Sequence, residues 1–108
     1  MTTTETLVPV PQVGDGATVY YWSDSHAGTV VSVSASGKQI VVQRDNAIRT
    51  DNNGQSGSQS YDYERDPQGV LQTFSLRKNG RWIEKGCDLQ NGLMCSIGNR
   101  HEYYDFSF

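Results

Sequence analysis

Charge of either sign is scarce in this sequence, and so is apolar character. Only 19% of the 108 residues are charged and 35% are hydrophobic. Nine Lys and Arg face twelve Asp and Glu, for a net charge of -3. That balance argues against a nonspecific coat for DNA or RNA, because neutralising many phosphates takes many cations. No apolar run approaches the roughly 20 residues needed to span a bilayer, so no membrane is expected as a partner. The start, Met1 to Thr6, has neither the basic region nor the apolar core of a secretory signal, and the expected address is cytoplasmic. Ala and Leu together number nine against 22 Val, Ile and Thr, which disfavours bundles and coiled coils and favours strands. Cys87 and Cys95 are the only cysteines. Reduced thiols are the plainer reading, a disulfide closing a short loop is the alternative in an exported protein, and two Cys and two His at these spacings make no zinc pattern, so no metal is expected. Neither a Gly-rich phosphate loop nor a dinucleotide fingerprint is present, and no cofactor is expected.

Uncharged polar residues fill the gap: Ser, Thr, Asn and Gln make 33 positions. Low hydrophobicity with high net charge marks disorder. Here the net charge is small and eleven residues are aromatic, which reads as one folded domain with a polar surface. Residues 1–12, ending Leu7-Val8-Pro9-Val10-Pro11, read as an extended arm, since alternate prolines cannot donate to a central ladder. Residues 13–108 read as a single small β-barrel domain. Strands are expected over 17–22, 27–34 and 39–43, with a loop at 23–26 and a tight turn at 35–38. In the second of these, period two places Thr29, Val31 and Val33 on one face and Val30 and Ser32 on the other.

From Asp45 to Ser60 the alternation disappears, and residues 50–60 hold no apolar side chain, so a long polar loop is expected. Further strands are read over 61–65, 70–77 and 81–85. They are joined by the turns Asp66-Pro67-Gln68-Gly69 and Asn79-Gly80. Residues 86–92 read as a loop or short helical turn, residues 96–98 as the start of a turn, and 101–108 as a last strand. About seven short strands must close or nearly close their sheet to bury enough apolar surface. The expected fold is all-β: a small SH3-like barrel, or a strongly bent antiparallel sheet, carrying a long polar loop.

The opening from Val13-Gly14-Asp15-Gly16-Ala17-Thr18-Val19 through Ala27 to Val33 and Ile40 to Gln43 resembles SH3-like barrels, including KOW-type modules. A second likeness rests on four segments: Tyr20 to His26, Gln43 to Asp51, Phe74 to Trp82 and Ser96 to His101. It is similar to uncharacterised small proteins of tailed phages and related mobile elements. That resemblance implies an accessory protein of the host cytoplasm that acts on host defence. It assigns no residue a role.

Asp24-Ser25-His26 holds the residue types of a nucleophilic triad, but neighbours on one loop cannot adopt its geometry, and turn formation is the plainer role. Contact of Ser23, Asp24 and His26 with a ligand at a barrel mouth is the intermediate reading. Asp51, Asn53 and Gln55 beside Gly54 miss the spacing of a calcium loop. Asp62 and Glu64 read as a solvated strand face. Arginines interleave with aromatics more suggestively. Tyr61, Tyr63, Trp82, Tyr103 and Tyr104 can offer stacking faces, and Arg44, Arg49, Arg65, Arg77, Arg81 and Arg100 can hold anions. The plainer account puts half of these rings in the core under arginine stems.

The candidate ligand-binding set is Arg44, Arg49, Arg77, Arg81, Trp82, Arg100, Tyr103 and His26. The function this supports is non-enzymatic binding that sequesters a nucleotide-like ligand or a host protein, in a homo-oligomer assembled through the arm and barrel edges. A nucleic-acid-binding KOW-type module and a virion assembly protein are the alternatives.

Overall fold

The structure is a computed structural model, and it describes residues 10–88 and 92–105. The arm residues 1–9 and the end of the expected last strand, 106–108, lie outside the described residues. The described residues form eight strands: β1 (Gly16–Tyr20), β2 (Ser25–Val33), β3 (Gln39–Arg44), β4 (Asn46–Arg49), β5 (Tyr61–Glu64), β6 (Leu71–Leu76), β7 (Trp82–Glu84) and β8 (Met94–Ile97). The described residues contain no helix, and therefore none long and apolar enough to cross a membrane.

Six strands close into an antiparallel barrel in the order β1-β2-β3-β6-β7-β8, while β4 and β5 form a separate two-stranded sheet. Closure comes from β8, whose Cys95 and Ile97 sit opposite Val19 and Ala17 of β1. The architecture is thus a closed barrel, compatible with the SH3-like expectation, rather than an open bent sheet. Period two explains the core. Ala17 and Val19, Ile40 and Val42, Phe74 and Leu76, and Trp82 and Cys95 all point inward, and Phe74 is the largest fully buried side chain.

Five readings are corrected. Ser25 and His26 belong to β2 rather than to a loop, because both pair with β1. The strict alternation along β2 fails at a bulge between Val30 and Ser32, where Val31 is the extra residue. Val30 and Val33 therefore both reach the core. The polar stretch starts later than expected, because Asn46–Arg49 pairs with Tyr61–Glu64. Residues 94–97 are a strand and not the approach to a turn, whereas 101–105 contribute only the bridge between Ser25 and Tyr103.

The loop over residues 50–60 is ordered by its own polar groups. Asp51 accepts from Arg49 through both oxygens, at 2.9 and 2.8 Å, and also from the amides of Asn53 and Ser60. Those donors hold its carboxyl well below the ordinary carboxylate range. Gln59 then ties the loop to the C-terminal segment by donating to the Tyr104 carbonyl and accepting from the Tyr104 amide.

Candidate functional site at the barrel mouth

The inward-facing positions that build the core do not stop at its edge. Along β3 the series Ile40, Val42 ends in Arg44, and along β2 the series leading from Val30 through Gly28 ends in His26. Tyr21 continues the series of Ala17 and Val19 just past β1, and Gln72 precedes Phe74 on β6. Polar side chains thus replace apolar ones at one end of the barrel. Gly28 makes room for this layer, since a Cβ there would sit 2.7 Å from a Val42 methyl carbon and 2.8 Å from the Gln43 carbonyl oxygen.

The C-terminal segment closes one side of the mouth. Its Glu102 side chain is 2% exposed and accepts the Ala27 amide at 2.9 Å on Oε1. On Oε2 it faces His26 Nδ1 at 2.8 Å. Burial alone would push this carboxyl up. The bonds from His26 and the Ala27 amide, together with the charges of His26 and Arg44, outweigh it and hold the carboxyl below its ordinary value. An ionised Glu102 needs a hydrogen on Nδ1, so His26 is the donor in this pair.

Arg44 Nη2 lies 3.0 Å from the same Nδ1. A nitrogen that carries its hydrogen toward Glu102 has no lone pair to offer a guanidinium. The other contacts of this Nη2 are long: 3.4 Å to the Tyr104 hydroxyl and 3.6 Å to Glu102 Oε2. The Arg44 side chain is 40% exposed and projects over a cleft of about 410 Å³ that is also lined by Asp66, Gly69, Val70, Glu102 and Tyr104. The edges of Tyr21 and Tyr104 flank the His26 ring, with centroids 4.9 and 5.5 Å away. The arrangement offers a loosely engaged cation beside aromatic rings, above a buried anion that fixes the imidazole.

No family model, no curated protein and no solved structure matches this chain.

Of the residues singled out from sequence, the structure brings His26 and Arg44 together at the mouth. The others are dispersed. Arg49 clamps Asp51. Arg77 donates to the carbonyls of Glu84 and Cys87 and to Ser75 Oγ, bracing the β6–β7 hairpin. Arg100 bonds Asp45 at 2.7 Å and Thr29 at 2.9 Å on the outer face of β2. Trp82 is part of the core, and Arg81 lies beside it on a separate groove of about 490 Å³ with Met94 and Ile97. Tyr103 stacks on His101 at 6.4 Å. Asp24 closes the β1–β2 turn with its backbone carbonyl, and its side chain accepts from the Asp105 amide.

Sequence reading missed Glu102, the residue that organises the site. It is a single acid 76 positions from its imidazole partner, and only the closed barrel brings the two together. Tyr21 carried a signal, since it extends the alternation of Ala17 and Val19.

Proposed function

We propose that this protein is a non-enzymatic binding protein whose ligand site is the barrel mouth, and that its ligand is nucleotide-like. The observation that carries the reading is the position of Arg44. Its guanidinium is exposed over a cleft and pointed at a ring nitrogen that donates its hydrogen to Glu102. An oxygen acceptor in the cleft, such as a phosphate or carboxylate, gives that guanidinium a better partner than the imidazole does. Tyr104 lines the same cleft, and Tyr21 and Tyr104 flank the His26 ring.

Binding without turnover is supported by how the neighbouring groups are engaged. His26 is held on a buried carboxylate, and the Ser25 hydroxyl donates to the His101 carbonyl at 2.7 Å. A track along a nucleic-acid backbone is less well supported, because Arg49, Arg77 and Arg100 all serve internal partners. In the phage or mobile-element setting that the sequence resemblance implies, such a protein acts by sequestering a host nucleotide signal.

Calorimetry with nucleoside monophosphates and their 3′,5′-cyclic forms tests this. We expect saturable heat with at least one of them, and its loss in Arg44→Ala. Absence of heat across the whole panel overturns the reading.

A further inference from the structure

We propose that the open edge of β5 is a docking site for an extended peptide segment in which basic residues alternate with apolar ones. The main chain carries the first part of the argument. The Thr50 amide donates to the Ser60 carbonyl at 2.9 Å, which fixes the phase of the β4–β5 ladder. In an antiparallel ladder, opposed residues alternate between hydrogen-bonded and non-hydrogen-bonded pairs. In steps of two from Thr50 and Ser60, the bonded pairs are Ile48 with Asp62 and Asn46 with Glu64. Tyr61 and Tyr63 therefore turn their amides and carbonyls away from β4. Among the described residues no other strand pairs with β5, and nothing hydrogen-bonds those outward groups. Donors and acceptors in such a row are the template for strand addition.

A cleft of about 410 Å³ lies along this edge, lined by every residue from Tyr61 to Arg65 together with Asp45 and Arg100. Neighbouring residues of a strand point to opposite faces, so a cleft touched by a whole consecutive run lies beside the strand and not over one face. Asp45 and Arg100 bond each other at 2.7 Å, so the barrel contributes an ion pair already closed on itself. The cleft shares only Asp45 with the mouth, and the inference stands whether or not a nucleotide binds there.

Charge selects the occupant. Asp62 and Glu64 project from one face of β5, both exposed, and neither is paired with a cation. The Tyr61 and Tyr63 rings lie on the other face with centroids 6.5 Å apart, and Arg65, just past the strand, is drawn toward Gln43 Oε1 at 3.3 Å. On an added antiparallel strand, the residues opposite Asp62 and Glu64 share their face, where charges of opposite sign stabilise the pairing. Lysine or arginine at those two positions answers both carboxylates. The residue between them falls on the face of the two tyrosine rings, which suits an apolar side chain. A second copy of β5 fits badly. Self-pairing through the outward groups, centred on Asp62 or on Tyr63, sets carboxylate against carboxylate, and centring on Tyr61 carries it past the end of the strand.

A labelled, capped peptide of alternating lysine and valine is titrated into the full chain, with fluorescence anisotropy for affinity and amide exchange for position. We expect saturable binding that slows exchange at Tyr61 and Tyr63, the two amides that point outward. Methylating the valine amides, which face β5 in this register, should abolish binding. Asp62→Lys combined with Glu64→Lys should weaken the lysine peptide about tenfold and admit a glutamate–valine peptide in its place. Both positions are exposed, and a thermal melt confirms that the variant folds. No binding to wild type, undiminished binding of the methylated peptide, or equal binding by the charge-reversed variant overturns the proposal. Self-association of wild type that the peptide competes away, read by sedimentation, also overturns it, because the edge then belongs to a second copy.

Discussion

Glu102 stays ionised in its burial only because donors surround it, and this makes its contribution dependent on pH. Its folded value lies below the ordinary one. The stabilisation is therefore fully present above the unfolded carboxylate range, near pH 4.3, and is lost as pH falls through the lower folded value. We expect the melting temperature of wild type to fall across that acid window. Glu102→Gln, which keeps the shape but has no charge to lose, should be less stable at pH 7 and flatter with pH; identical profiles would contradict the assignment. The two cysteines give a second test at this scale. Burial pushes the Cys95 thiol up to about 12, while Cys87 is raised by burial and by Glu84 beside it. Thiolate is the reactive form. With a chromogenic disulfide at pH 8, Cys95 should react only on unfolding and Cys87 slowly in the native state.

The elements that hold the mouth in place depend on close backbone approach and on one polar clamp. Gly28 sits where β2 passes Val42, and Gly69 sits where a Cβ would collide with the Arg44 carbonyl oxygen. Gly28→Ala forces the core methyl or the strand to shift. Overpacking of this kind costs about 1–3 kcal/mol, to be read from the denaturant midpoint. The loop over 50–60 depends instead on Asp51, which accepts from Arg49, Asn53 and Ser60 at once. Asp51→Asn halves the acceptor capacity and removes the charge. Amide exchange over residues 52–60 should then speed up while exchange in β3 and β6 stays slow. If exchange in the loop is unchanged, the clamp is not what orders it.

At the scale of the whole molecule, how much was legible in the sequence follows from how far apart the interacting residues lie. Ala17 with Val19, Ile40 with Val42 and Phe74 with Leu76 announce inward faces through local alternation, and the closed barrel follows from the need to pair every edge. Leu93, Cys95 and Ile97 alternate in the same way, so β8 was readable too, although Gly98 drew attention to a turn instead. The bulge at Val31 was not readable, because its cause is the register against β3 rather than any residue type. The site was the least visible part, since Arg44, His26 and Glu102 converge across strands and across 76 positions of chain. Core and mouth should therefore fail independently. Phe74 is fully buried, and Phe74→Ala costs about 3–5 kcal/mol. That is a large share of the roughly 5–15 kcal/mol that holds a domain of this kind folded. Arg44 stands at the edge at 3.6 Å from the buried Glu102, which keeps its bonds from His26 and the Ala27 amide when Arg44 is removed, so Arg44→Ala should cost about 1 kcal/mol. Urea unfolding of the two variants beside calorimetry gives the decisive contrast: Phe74→Ala should be near unfolding, whereas Arg44→Ala should melt close to wild type and bind no nucleotide. A large loss of stability in Arg44→Ala would instead make Arg44 a structural part of the barrel, and the mouth would lose its candidate anchor.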